Sequence, residues 1–481
     1  MSPKSESRSF PADFVWGSAT ASYQIEGGVH EDGRGPSIWD TFSHTPGNVV
    51  DGDTGDVADD HYHRWAGDVE HIRTLGLDAY RLSISWPRVQ PGGSGEFNAA
   101  GIAFYSRLID ALLEAGVKPV VTLYHWDLPQ ELEDTGGWPE RATAIAFEAY
   151  ARRMAQEFGD RVWMWTTLNE PWCSAYLGYA AGNHAPGRTE PEAAFKAVHH
   201  LNLAHGLAAR AIRDELGEDT RVSVTLNTHL VRPVDPASPA DQVATRKIEV
   251  LANEVFLGPM LEGSYPVDLA AQTAAITDWS FVADGDLATI RVPLTVLGIN
   301  YYSSGRVQHY DGSHPREDSD GHAGEKASPW VGADDIEFLS MPGPFTAMGW
   351  NIDPEGFTEL LIRTGTRFPD VPLMVTENGA AFDDEVADDG AIHDADRVDY
   401  LYRHLEAVLL ARDAGVDLRG YFVWSLLDNF EWALGYSKRF GIIRVDYETQ
   451  ERTWKDSAHW YAELVRTDRL PSRDTASVGR A

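Results

Sequence analysis

Cysteine is almost missing from this chain: Cys173 is the only one in 481 residues. No disulfide can close within the chain, which excludes a fold stapled by bridges. Positive charge is scarce as well, with 40 Lys and Arg against 74 Asp and Glu and a formal net charge of −34. A surface of that sign repels phosphate backbones and anionic lipid, so neither a nucleic-acid nor a membrane partner is expected. No run of about 18 apolar residues occurs, and residues 1–9 hold no apolar stretch of the signal-peptide kind. These features lead to the expectation of a cytoplasmic protein. No phosphate-binding P-loop, Gly-x-Ser-x-Gly elbow or dinucleotide fingerprint is found, and no cofactor is expected.

Aromatic residues, by contrast, make up 11% of the chain, with 16 Trp among them; such flat apolar faces suit carbohydrate. No linker or shift in composition divides the sequence, so one domain is preferred over the three that length alone suggests. Eight stretches rich in β-branched and aromatic residues recur at 14–22, 79–86, 119–125, 162–169, 221–227, 294–301, 373–377 and 420–426. Helical periodicity lies between them, at 104–115, 142–158, 193–215, 354–367 and 394–414. Eight rounds of strand and helix predict an α/β fold closed into a single (β/α)8 TIM barrel. The polar stretches 230–239 and 306–345 read as long loops over the C-terminal face. Residues 1–9 are expected to be disordered, 10–466 to form the domain, and 467–481 to be a flexible tail.

Followed to their C-terminal edges, the strand-like runs stop at residues suited to chemistry. These are Gln24, Arg81, His125 and Trp126, Asn169 and Glu170, Asn300 and Tyr302, Glu377, and Trp424 followed by Glu431 and Trp432. Barrel enzymes carry their reactive groups at that end. Most glutamates are simply solvated, but Glu170 and Glu377 each close an apolar run. Cleavage of a glycosidic bond needs two carboxyl groups in opposite protonation states, one to protonate the leaving oxygen and one to meet the charge at the anomeric carbon.

The segments Thr-Leu-Asn-Glu-Pro at 167–171 and Thr-Glu-Asn-Gly at 376–379 resemble the two catalytic signatures of glycoside hydrolase family 1, the β-glucosidase and β-galactosidase family. Further ordered matches lie at 14–27, 80–88, 123–129, 298–302 and 424–432, so the resemblance covers residues 10 to about 465. It implies that Glu170 is the general acid and then base, that Glu377 is the nucleophile, and that configuration is retained with the carboxyl groups about 5–5.5 Å apart. Arg81 and Tyr302 then hold the nucleophile, and Asn169, joined by His125, donates to the sugar 2-hydroxyl. Gln24, Trp126, Asn300, Trp424, Glu431, Trp432 and Phe440 match residues around the non-reducing sugar. Trp172, Asn227 and Trp350 match the aglycone side, with His184 a weaker candidate there.

An acid at 431 argues against a 6-phosphorylated substrate despite Ser437 and Lys438 nearby, and an acid at 170 argues for O-glycosides. Short β-linked glycosides, cellobiose-like disaccharides among them, are the expected substrates, and cellulose degradation the expected setting. Glucose, galactose and fucose all stay open, as does oligomeric state. Transglycosylation and a catalytically silent sugar-binding protein remain as alternative readings. No metal is expected: Asp51, Asp53 and Asp56 fail as a calcium loop, His61 and His63 lack a metal-binding helix motif, and His199, His200 and His205 read as structural.

Overall fold

The computed structural model describes residues 9–317, 319–321, 326–471 and 473. Eight strands close into a barrel: β1 (Val15–Ala19), β2 (Ala79–Ser83), β3 (Lys118–Tyr124), β4 (Met164–Asn169), β5 (Val222–Asn227), β6 (Val296–Asn300), β7 (Leu373–Asn378) and β8 (Leu418–Trp424). All eight pair in parallel with their neighbours in chain order, and β8 returns to β1 with Val15 opposite Gly420 and Ala19 opposite Trp424. Helices such as Ala99–Glu114, Arg141–Phe158 and Ala395–Asp413 fill the crossovers. Each strand faces the barrel interior on one side and helices on the other. Burial on both faces is why the strands read as unbroken apolar runs instead of alternating patterns.

Val15, Ala79, Val120, Met164, Val296, Met374 and Phe422, one from each of seven strands, pack into a separate apolar layer. Most of them sit at the N-terminal ends of their strands, so this layer fills the base of the barrel and leaves the opposite end for chemistry. Gly17 on β1 makes room for it, because a Cβ there would lie 2.3 Å from the Phe422 ring.

Two expectations are corrected. The stretches 230–239 and 306–345 are not loops throughout: Leu230–Pro233, Ser304–His309 and Ile336–Leu339 form a small three-stranded sheet beside the barrel. Its buried side chains include Leu230, Val231, Val307, Ile336 and Phe338, too few per strand to stand out among polar neighbours. The first strand ends at Ala19 and not at residue 22, since Ser22–Ile25 already forms a single helical turn. The tails expected at residues 1–9 and 467–481 lie largely outside the described residues. Within them, Ser9 bridges to Arg469, and Asp468 accepts the Trp16 indole N–H at 2.9 Å. Among the described residues no helix is long and apolar enough to cross a membrane.

The loop after β8 is anchored from below. Asp428 is fully buried and accepts from Lys455 Nζ at 2.7 Å, Arg439 Nη1 at 2.7 Å and the Gly441 amide at 3.0 Å. Truncating one partner of such a buried ion set costs about 3–5 kcal/mol. The same anchor holds the segment that carries Glu431, Trp432 and Phe440.

Candidate active site

Strand ends converge on one cleft of about 200 Å³ at the C-terminal mouth of the barrel, with Glu170 and Glu377 both in its wall. Glu377, at the end of β7, is 2% exposed. Arg81 from β2 donates to its Oε1 at 2.5 Å, and the Tyr302 hydroxyl, just past β6, donates to its Oε2 at 2.6 Å. Charge-assisted donors on both oxygens favour the anion and fix its orientation. Glu170 follows β4 with a left-handed φ of 45°, a conformation costly for a non-glycine residue. Its amide donates to Thr225 on β5 at 3.0 Å, which holds the turn. Asn300 Nδ2 donates to Glu170 Oε1 at 2.8 Å, and the Cys173 thiol lies 3.6 Å from Oε2.

The two glutamates are joined through a chain of polar contacts. Arg81 Nη2 donates to Asn169 Oδ1 at 2.7 Å, and Asn300 Nδ2 reaches the same oxygen at 3.2 Å while also serving Glu170. The carboxyls therefore share one neighbourhood but receive different partners. Glu377 has a cation; Glu170 has an amide and a thiol. Burial first, and the charge of Glu377 second, raise the Glu170 carboxyl above the ordinary glutamate range, so burial outweighs the neighbouring charge. Burial likewise raises the Tyr302 phenol far above its usual range, with Glu377 adding to it, and keeps it a donor. His125 is pushed well down by burial and then by Arg81, so its ring is neutral and its Nε2 faces Asn169 Nδ2 at 3.1 Å.

The sequence profile described as "Glycosyl hydrolase family 1" matches residues 6–470. The chain belongs to that family. It is 52% identical over 464 residues to a bifunctional β-D-glucosidase/β-D-fucosidase of Bifidobacterium breve, covering 95% of this chain and 98% of the relative. It is 46% identical to β-glucosidase A of Thermotoga maritima, covering 96% and 99%. Among solved structures, a psychrophilic β-glucosidase of Micrococcus antarcticus superposes with a TM-score of 0.92 at 47% identity, covering 96% and 98%.

The residues that the family resemblance brought forward fall into three groups. His125, Trp126, Asn300, Tyr302, Trp424, Glu431, Trp432, Phe440, Asn227, Trp350 and His184 line the cleft with the two glutamates. Gln24, Arg81 and Asn169 are fully buried behind that wall. The Gln24 amide nitrogen is held by Asn429 Oδ1 at 3.0 Å and the Phe430 carbonyl at 2.9 Å, leaving Oε1 without a partner among the described residues. Glu431 Oε2 is also buried without one, and burial, followed by Glu377 and Glu170, pushes its carboxyl up to about 8.

Trp172 is the exception. It does not line the cleft but lies behind it, 1% exposed, with its ring packed on His229 and Trp330. Ser437 and Lys438 are also turned away, donating to the backbone carbonyls of Leu434 and Ala347. Sequence reasoning gave no site role to Cys173 beside Glu170, to Thr376, whose hydroxyl donates to Asn300 Oδ1 at 2.8 Å, or to Asn429 behind Gln24. Position alone could have flagged Cys173 and Thr376, one three residues after Glu170 and the other next to Glu377.

Proposed function

We propose that this chain is a retaining β-glycosidase that releases a terminal non-reducing β-D-glucosyl unit from short oligosaccharides and from aryl or alkyl glycosides. One observation carries the reading: two buried glutamates share a cleft, one held as an anion by Arg81 and Tyr302, the other raised toward its neutral form. That asymmetry is what double displacement needs. Glu170 gives its proton to the leaving oxygen while Glu377 attacks the anomeric carbon and forms an ester. With the Glu377 charge consumed, the Glu170 carboxyl drops in pKa and takes a proton from the water that cleaves the ester.

The remaining residues position the sugar. Gln24 Oε1 and Glu431 Oε2, two buried oxygens without a donor among the described residues, suit hydroxyl groups on the far side of the ring. Asn169 has one N–H beyond the one aimed at His125, available to the 2-hydroxyl. Trp424, Trp432 and Phe440 offer apolar faces, while Asn227 and Trp350 stand on the aglycone side. The relatives named as β-glucosidases, and the one named as a β-fucosidase too, support glucoside as the principal substrate with fucoside as a second. Cellobiose as a substrate would make this a late step of cellulose degradation, and the single cysteine suits a reducing compartment such as the cytoplasm.

A kinetic panel with product analysis tests the reading. Aryl β-glucoside is turned over with β-glucose as the first product seen by proton NMR. The 6-phospho-β-glucoside falls at least about 100-fold in kcat/KM, because its phosphate would be buried beside the acids Glu431, Glu377 and Glu170 without a cation turned to meet it. Preference for the phosphorylated substrate, or α-glucose as first product, would overturn the proposal.

A further inference from the structure

One donor-only group sets the direction of every hydrogen bond leading to Glu170. Arg81 cannot accept, so Asn169 presents Oδ1 to it and turns its nitrogen to His125. Asn300 meets that same Asn169 oxygen with its own nitrogen, and its Oδ1 is pinned from behind by the Thr376 hydroxyl. Asn300 Nδ2 consequently reaches Glu170 Oε1 as a donor at 2.8 Å. An oxygen that receives an N–H is the acceptor of a carboxylic acid, so the acidic hydrogen belongs on Oε2.

Oε2 faces the Cys173 thiol at 3.6 Å, and the turn between the two residues is closed by the Cys173 amide on the Glu170 carbonyl at 3.0 Å. Asn227 Nδ2, on the cleft wall, donates to the same sulfur at 3.5 Å. With a sulfur lone pair engaged there, the S–H is free to point at Oε2. We propose that Cys173 is a positioning residue for the proton donor: its thiol, held by Asn227, lies against Oε2, the oxygen that protonates the leaving group, and steadies the carboxylate left behind.

This inference rests on Glu170 being the acid and base. In the first half-reaction the Oε2–H bond breaks and an O–H bond forms on the leaving oxygen, which takes the electron pair of the C1–O bond. In the second, Oε2 removes a proton from water as the water oxygen bonds to C1 and the ester electrons return to Glu377. The thiol keeps its hydrogen in both, since burial pushes its pKa well above the ordinary cysteine value. Glu377, Arg81, Glu431 and Tyr302 are the other ionisable groups acting on Glu170, and none is altered by a change at 173.

The test is the pH profile of kcat/KM for the unaltered enzyme, Cys173→Ala and Cys173→Ser, on cellobiose and on 2,4-dinitrophenyl β-glucoside, whose phenolate leaves without a proton. Losing a donor to a carboxylate raises its pKa, so the basic limb of Cys173→Ala on cellobiose moves up by about half a pH unit. Cys173→Ser, with an O–H in place of S–H, stays at or below the original position. Asn227→Ala frees the thiol and also alters the aglycone side, so only its pH limb is read: the limb moves in the same direction by less, which keeps the test available if Cys173→Ala does not fold. At neutral pH Cys173→Ala loses about twofold on cellobiose and nothing on the dinitrophenyl substrate. A basic limb that stays put in Cys173→Ala, or moves equally in Ala and Ser, overturns the role of Cys173. Absence of any basic limb in the unaltered enzyme would instead overturn the assignment of Glu170 itself.

Discussion

Glu377→Ala lowers kcat on an aryl β-glucoside by a factor on the order of 10⁵, with thermal unfolding showing that the barrel remains intact. The size follows from what is lost: the carboxylate that carries a guanidinium and a phenol on its two oxygens, and with it the covalent half of the mechanism. Arg81, 1% exposed at its side chain, loses the counter-ion of its Nη1, so a small anion has a site ready for it. Adding azide restores turnover and yields an α-glucosyl azide, because azide attacks from the face that Glu377 occupied. Residual activity within about tenfold of the unaltered enzyme would place the nucleophile elsewhere.

Glu170→Gln gives the second large effect, and it divides by leaving group. On cellobiose, whose departing sugar needs a proton, kcat/KM falls by about 10³–10⁴-fold, the upper range of general acid catalysis. On 2,4-dinitrophenyl β-glucoside the same quantity falls less than about tenfold, while kcat drops further because water is no longer activated. The pH dependence changes with it. Glu170 acts as an acid, its carboxyl is raised by burial and by Glu377, and activity is lost as pH rises through that pKa and the proton departs. Glu170→Gln removes this basic limb. Equal losses on both substrates, or a limb that persists in the variant, would show that another group supplies the proton.

The barrel was legible in the sequence because burial on both faces turns each strand into a continuous apolar run that stops abruptly at a polar residue. Glu170, Glu377, Arg81 and Asn300 could be read from those stops. Gln24, read as a strand end, lies beyond β1 in a helical turn, while Phe440, deep in the loop after β8, came forward through family resemblance. Cys173 escaped because a cysteine in an apolar stretch looks like packing; only the left-handed turn at Glu170 and the wide helical segment Cys173–Ala181 bring its sulfur back to the carboxyl. Trp172, on the same turn, is 1% exposed with its ring packed on Trp330. The small sheet beside the barrel was hidden by brevity, since strands of four to six residues with polar flanks resemble loops.

Burial rather than charge dominates the raised carboxyls at Glu170 and Glu431. A bound sugar adds to that burial, which keeps the proton on Glu170 until bond cleavage, while its hydroxyl donors favour the ionised form of Glu431.

The covalent ester at Glu377 is the step on which the account turns, and it can be caught. Incubation with 2,4-dinitrophenyl 2-deoxy-2-fluoro-β-glucoside slows both half-reactions through the fluorine but speeds the first through the leaving group, so the ester accumulates. Mass spectrometry of a peptide digest is expected to find one fluoroglucosyl unit on the peptide spanning Thr376–Gly379, attached to Glu377. An unlabelled enzyme that still hydrolyses the substrate, or a label on any other residue, would contradict it.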